Sequence, residues 1–136
     1  MRRIGLVAGM IAAISLAQIS AVVAADDGFP FGTEMTLDAP PMRGSKRIPN
    51  LEIGDKGEIV LQLWCKSGKG QFSVAGASVI FVPADMSDSG CTPERAEADD
   101  ALLAALLNAG EWKRQGNTMS FMGQQARPLR FRINTN

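Results

Sequence analysis

The chain reads as an α+β domain: a small antiparallel, barrel-like β-sheet of about seven short strands with one amphipathic helix packed on it. Two observations predict this. Short runs of alternating apolar and polar residues, the period of a strand, recur along the chain and are separated by glycine-bearing turns. A single segment, residues 93–109, carries the three-and-four spacing of a helix instead.

Residues 1–25 have the pattern of a secretory signal. Met1-Arg2-Arg3 is a short basic start, residues 4–23 are uncharged and mostly apolar, and Val22-Val23-Ala24-Ala25 offers the small residues at which a signal peptidase cuts, after Ala24 or Ala25. The run approaches the length of a membrane span, but Gly5, Gly9, Ser15, Gln18 and Ser20 dilute it and Asp26-Asp27 follows at once, so cleavage is expected over a retained anchor. No cysteine lies there to receive a lipid. Residues 26–32, with Gly28 and Pro30, read as a flexible arm. Residues 33–136 are then one domain, in a mature chain of about 110 residues.

Within that domain, residues 33–37 alternate as a first strand, and residues 40–49, rich in Pro, Gly and basic side chains, read as a long loop. Residues 51–53 and 59–64 flank Gly54-Asp55-Lys56-Gly57, a hairpin signal. Alternation puts Ile59, Leu61 and Leu63 on one face and Val60, Gln62 and Trp64 on the other. Residues 71–74 and 78–82 flank Ala75-Gly76-Ala77 as a second hairpin, which Pro83 is expected to end because it has no N–H for the ladder. Gly68-x-Gly70 reads as a tight turn, and residues 84–90 as a polar connection.

Thr92 is the expected N-cap of the helix, with Pro93 in its first turn and Glu94, Glu97, Asp99 and Asp100 where the dipole favours negative charge. Ala98, Ala101, Leu102, Ala105, Leu106 and Ala109 make its apolar face, and Gly110 is the expected left-handed stop. Residues 111–115 and 118–122 flank Gly116-Asn117 as a third hairpin. In the last strand Leu129, Phe131 and Ile133 point one way, Arg130 and Arg132 the other. Strand order is not legible in any of this.

Two cysteines in an exported chain are most simply a disulfide, Cys65–Cys91, rather than two buried thiols. Closing a loop of about 25 residues is worth about 3 kcal/mol in the chain-entropy description. That is a large share for a thin-cored domain.

The frame around these cysteines resembles the META domain family, also called HslJ-like, of small bacterial envelope proteins. Cys65 takes the first cysteine position, Gly70 the following glycine, Phe72 the aromatic of the next strand and Cys91 the second cysteine. Glu97 with the Leu102/Leu106 face matches the helix, and Thr118 to Phe121 with Leu129 to Phe131 matches the closing strands. Met35 stands where the family usually has tryptophan, and Trp64 and Lys66 replace the glycine and asparagine around the first cysteine. The resemblance implies a β-rich domain with helix support, likened to secretin pilot proteins, and an association with envelope integrity and the stress response.

The composition narrows the chemistry. Histidine is absent, which removes histidine-based triads and metal sites; the cysteines are too far apart for a CxxC motif, and no phosphate-binding glycine motif occurs. Losing Arg2 and Arg3 with the signal turns the balanced 14 Lys+Arg and 14 Asp+Glu into a net charge near −2, too little positive field for nucleic acid. Asp99-Asp100 with Glu94 and Glu97 are expected on a solvated helix face rather than around a cation. Trp64 and Trp112 are expected to pack rather than line a ligand surface, and Met35, Met42, Met86, Met119 and Met122 to fill gaps in the core. Arg127, Arg130 and Arg132 form a basic stripe, the candidate contact patch.

The sequence therefore predicts no enzyme, no cofactor and no metal. It predicts a monomeric periplasmic or secreted protein, touching the membrane only through its signal, that binds an envelope protein or a lipid-like ligand. A small secreted inhibitor of a lysozyme or protease, using the loop at residues 40–49, is the alternative.

Overall fold

A computed structural model describes residues 28–88, 90–125 and 127–135. The expected signal peptide, with Asp26 and Asp27, lies outside these residues. Eight strands and one helix follow one another: β1 (Glu34–Leu37), β2 (Asn50–Ile53), β3 (Glu58–Gln62), β4 (Ser67–Ala75), β5 (Ser78–Ser87), α1 (Pro93–Asn108), β6 (Ala109–Gln115), β7 (Thr118–Gly123) and β8 (Leu129–Ile133). The strands close a barrel in chain order, each antiparallel to the next, and β8 returns to β1 through Met35↔Ile133 and Thr36↔Arg132. The strand count is thus eight rather than about seven.

An eight-stranded barrel has an interior just wide enough for side chains to fill. Alternation supplies them. In β3 Ile59 and Leu61 are buried while Glu58, Val60 and Gln62 are exposed; in β8 Phe131 and Ile133 are buried while Arg130 and Arg132 are exposed. The centre is aromatic. Phe121 stacks on Phe72 at 5.4 Å between ring centroids and meets Phe131 edge-on at 5.9 Å, and Phe72 lies 5.5 Å from Phe81.

One end of this cluster is closed by the segment expected to be a loose arm. Phe29 is buried against Phe72, Trp112 and Phe121 at 5.4, 5.4 and 6.5 Å, and Arg114 donates to the Gly28 carbonyl at 3.2 Å. A phenylalanine next to Gly and Pro reads locally as a loop. The apolar area offered by three aromatic rings holds it in place.

The β4–β5 pair departs most from expectation. Gly68 and Gly70 lie inside β4, paired to Leu61 and Ile59 of β3, and do not form a turn. Pro83 does not end β5, which continues to Ser87. Among the described residues β5 meets β6 only at Ser78↔Glu111, so beyond that point it is an edge where a missing N–H costs little. The β4–β5 register slips between Ser67 and Lys69, with Asp85 in the left-handed region at φ 39°. This bulge folds over Gly68: a Cβ there would sit 2.4 Å from Met86 Sδ and 2.8 Å from the Asp85 carbonyl, so the position requires glycine.

Helix α1 spans the gap between β5 and β6, resting on β5 and β7. Thr92 caps it, its hydroxyl accepting from Arg95 N, and Pro93 is the first helical residue, as expected. Its end is different. Ala109 is extended and leads straight into β6, so Gly110 provides no left-handed stop. Leu102 and Leu106 join the core, whereas Ala101 is exposed. Leu106→Ala is expected to destabilise the protein by about 2–5 kcal/mol. Leu107→Ala, one position on and 53% exposed, should change stability by no more than about 0.5 kcal/mol. Chemical denaturation of the two variants checks the difference.

Candidate functional site

β3 ends at Gln62, not at Trp64. Leu63 to Lys66 then form a turn closed by Leu63 N–H donating to the Lys66 carbonyl at 2.8 Å. Trp64 is therefore buried instead of sharing the exposed face of Val60 and Gln62. Cys65 in this turn is bonded to Cys91, just ahead of α1, with the α-carbons 5.7 Å apart.

The same turn holds the largest surprise. Asp99 is fully buried and accepts three backbone N–H bonds: Trp64 to Oδ1 at 2.7 Å, and Cys65 and Lys66 to Oδ2 at 2.9 and 2.7 Å. It does not lie on a solvated helix face. A carboxylate is a pure acceptor, and three converging donors are the partners that make its burial tolerable. Its neighbour Asp100 behaves as expected: it is exposed and pairs with Lys66 Nζ at 2.7 Å. That hydrogen bond is the main cause holding the Lys66 ammonium above the usual lysine range. Glu94 and Glu97 are exposed, so the four helix carboxylates do not converge.

The basic stripe is divided. Arg130 and Arg132 project outward from β8, whereas Arg127 is exposed in the preceding connection. Arg132 pairs with Asp38 at 2.8 Å; among the described residues Arg127 and Arg130 make no ion pair. Register adds a member that was not anticipated. Lys113 of β6 pairs with Ser120 of β7, which pairs with Arg130, so Lys113 and Arg130 lie in one row on the outer wall. The two-residue turn at Gly116-Asn117 sets Gln115 opposite Thr118 and hence Lys113 opposite Ser120, so the signal for this pairing was present in the sequence.

A second charged surface lies along β1–β3. Glu34 and Glu52 are directly opposed across the strand pair, and with Asp55 and Glu58 they line an open cleft of about 500 Å³. Opposed like charges cost stability, and the Asn50 amide, donating to Glu34, relieves part of that.

The remaining candidates are structural. Trp112 is half-buried and its indole N–H donates to the Gly76 carbonyl at 2.8 Å. Met35 and Met119 are fully buried, while Met42, Met86 and Met122 are half-buried. The loop after β1 exposes Pro40, Pro41, Arg43, Gly44 and Lys46. It is braced by Arg95, which donates to the Gly44 carbonyl at 2.9 Å. No helix among the described residues is long and apolar enough to cross a membrane.

Two structures solved by NMR share the fold. One, from Burkholderia xenovorans, has a TM-score of 0.62 at 18% identity and covers 90% of this chain and all of its own. The other has a TM-score of 0.55 at 14% identity, over 74% of this chain and 88% of its own. No curated protein matches the chain. The META domain family matches residues 33–135, the whole barrel and its helix. With that span covered, the chain belongs to the META domain family.

Proposed function

We propose that this is an exported, non-enzymatic binding protein of the bacterial envelope, which recognises a protein partner through the outer wall of its barrel. The observation that carries this reading is the filled interior. Phe72, Phe121 and Phe131, with Met35, Leu61 and Met119, occupy the barrel axis and are almost wholly buried, so contact falls to the outside. The outer wall of β6–β8 offers Arg130 and Lys113 in one row, with Arg132, paired to Asp38, next along the outer face of β8. Such a surface suits an acidic protein face and steers its approach. Export rests on the sequence pattern of residues 1–25.

The test is comparative capture from the periplasm with the mature chain as bait, alongside Arg130→Glu/Arg132→Glu and a control reversal, Lys56→Glu, at the opposite turn. A partner retained by the control and lost by the double variant is the expected result. Equal capture by all three, or turnover of a defined substrate by the pure protein, overturns the proposal. The braced loop carrying Arg43, Gly44 and Lys46 favours a second reading, a lysozyme or protease inhibitor, because a stiff exposed loop can fill a cleft at small entropic cost. Inhibition assays against a hydrolase panel decide it.

A further inference from the structure

We infer that the reduced form of this protein binds one divalent, thiol-seeking metal ion such as Zn²⁺ between Cys65, Cys91 and Asp88, and that forming the Cys65–Cys91 disulfide expels it. The two sulfurs and an Asp88 carboxylate oxygen all lie within 4.8 Å of one another. The sulfurs lie 2.06 Å apart in the disulfide, and on reduction they have to open to the roughly 3.5–3.8 Å that separates ligands bound at about 2.0–2.3 Å around a tetrahedral ion, a spacing that α-carbons 5.7 Å apart allow by side-chain rotation. Two thiolates and one carboxylate, with water in the fourth position, make an open site whose sulfur content favours zinc over magnesium or calcium. Asp88 is aimed by its own hydrogen bond, accepting from Cys91 N at 3.4 Å.

The site does not need the disulfide to exist. Asp99 grips the backbone N–H groups of Trp64, Cys65 and Lys66 from the helix, and Leu102 and Leu106 anchor that helix in the core. Cys65 and α1 are thus held together by non-covalent contacts as well as by the disulfide; metal binding requires that these contacts keep the two thiols opposed after reduction. Loading releases the two thiol protons as the two metal–sulfur bonds form. Discharge is a two-electron exchange. A disulfide R–S–S–R is reduced to two R–SH with uptake of two protons, the Cys65–Cys91 bond forms, and the ion leaves.

The experiment uses the mature chain, oxidised and after reduction by a phosphine that does not itself hold metal through sulfur. Co²⁺ is titrated first, and the sulfur-to-cobalt charge-transfer band is read; Zn²⁺ then displaces it in competition with a chromophoric chelator. One ion per reduced chain and none in the oxidised chain is the expected result. Asp88→Asn should bind about tenfold more weakly or worse, a loss of the size seen even for outer partners of a metal site. Cys91→Ser should lose the thiolate band characteristic of two sulfurs. Three outcomes overturn the inference: a folded reduced chain that binds neither ion, equal binding by the oxidised chain (which would place the metal in the acidic cleft of Glu34 and Glu52), or collapse of the amide spectrum on reduction alone.

Discussion

Asp99→Asn is expected to cost about 3–5 kcal/mol of stability although it changes only one atom. In the native protein one Asp99 oxygen takes Trp64 N–H and the other takes Cys65 and Lys66 N–H. An asparagine keeps one acceptor and replaces the other with an NH₂ donor. Whichever way it turns, a donor faces a donor, and at least one backbone N–H loses its partner. Charge-assisted bonds are worth about 1.5–3 kcal/mol each, and the turn recovers part of the loss by loosening toward water. Asp100→Ala, next in sequence and exposed, should cost well under about 1 kcal/mol. Urea denaturation of the two variants makes the comparison, with the disulfide intact in both. A mild Asp99→Asn would mean that the three N–H groups find other acceptors.

Phe121→Ala should cost about 3–5 kcal/mol, the range for emptying a buried aromatic site. Phe121 is fully buried and touches the rings of Phe29, Phe72 and Phe131, so its removal opens a hole that neighbours on three sides must fill. The barrel walls are tied by antiparallel pairs on both sides of β7, which limits collapse. Thermal unfolding of the variant, together with the accessibility of Trp112 to a collisional quencher in a Trp64→Phe background that leaves it the sole tryptophan, checks both parts. The melting temperature should fall and the Trp112 emission should become more quenchable, because Phe29 packs on both Phe121 and Trp112. An unchanged Trp112 signal would show that the arm stays seated without Phe121.

Much of the β-structure was legible because it is local. The hairpin at Gly116-Asn117 follows from alternation around a two-residue turn, which also sets Lys113 opposite Ser120. The hairpin expected around Ala75-Gly76-Ala77 forms too, but Ala75 ends β4 and pairs with Ser78, so its turn is Gly76-Ala77. The row that joins Lys113 to Arg130 needs the β7–β8 register as well. The helix start at Thr92-Pro93 was equally plain, since a cap is decided within one turn of chain. Where prediction missed, the deciding partner was remote. Pro83 looked like a strand end, yet it occupies a stretch of β5 that has little to pair with on its far side. Gly110 looked like a helix stop, yet β6 begins at Ala109 because β7 is there to pair with it. Among the candidate site residues, Arg130 and Arg132 were placed correctly on the outer wall by alternation, while the ion pair of Arg132 with Asp38 depended on β8 meeting β1.

By itself the sequence determined the three hairpins, the start of the helix and the family, because periods of two and 3.6 and the demands of tight turns act over a few residues. Only the tertiary structure decided that the sheet closes in chain order, that Phe29 seals one end, and that Asp99 is buried beneath the disulfide turn. Closure and docking are set by surfaces that meet only after the strands pair. A carboxylate in a helix reads the same in sequence whether water or three backbone N–H groups will solvate it.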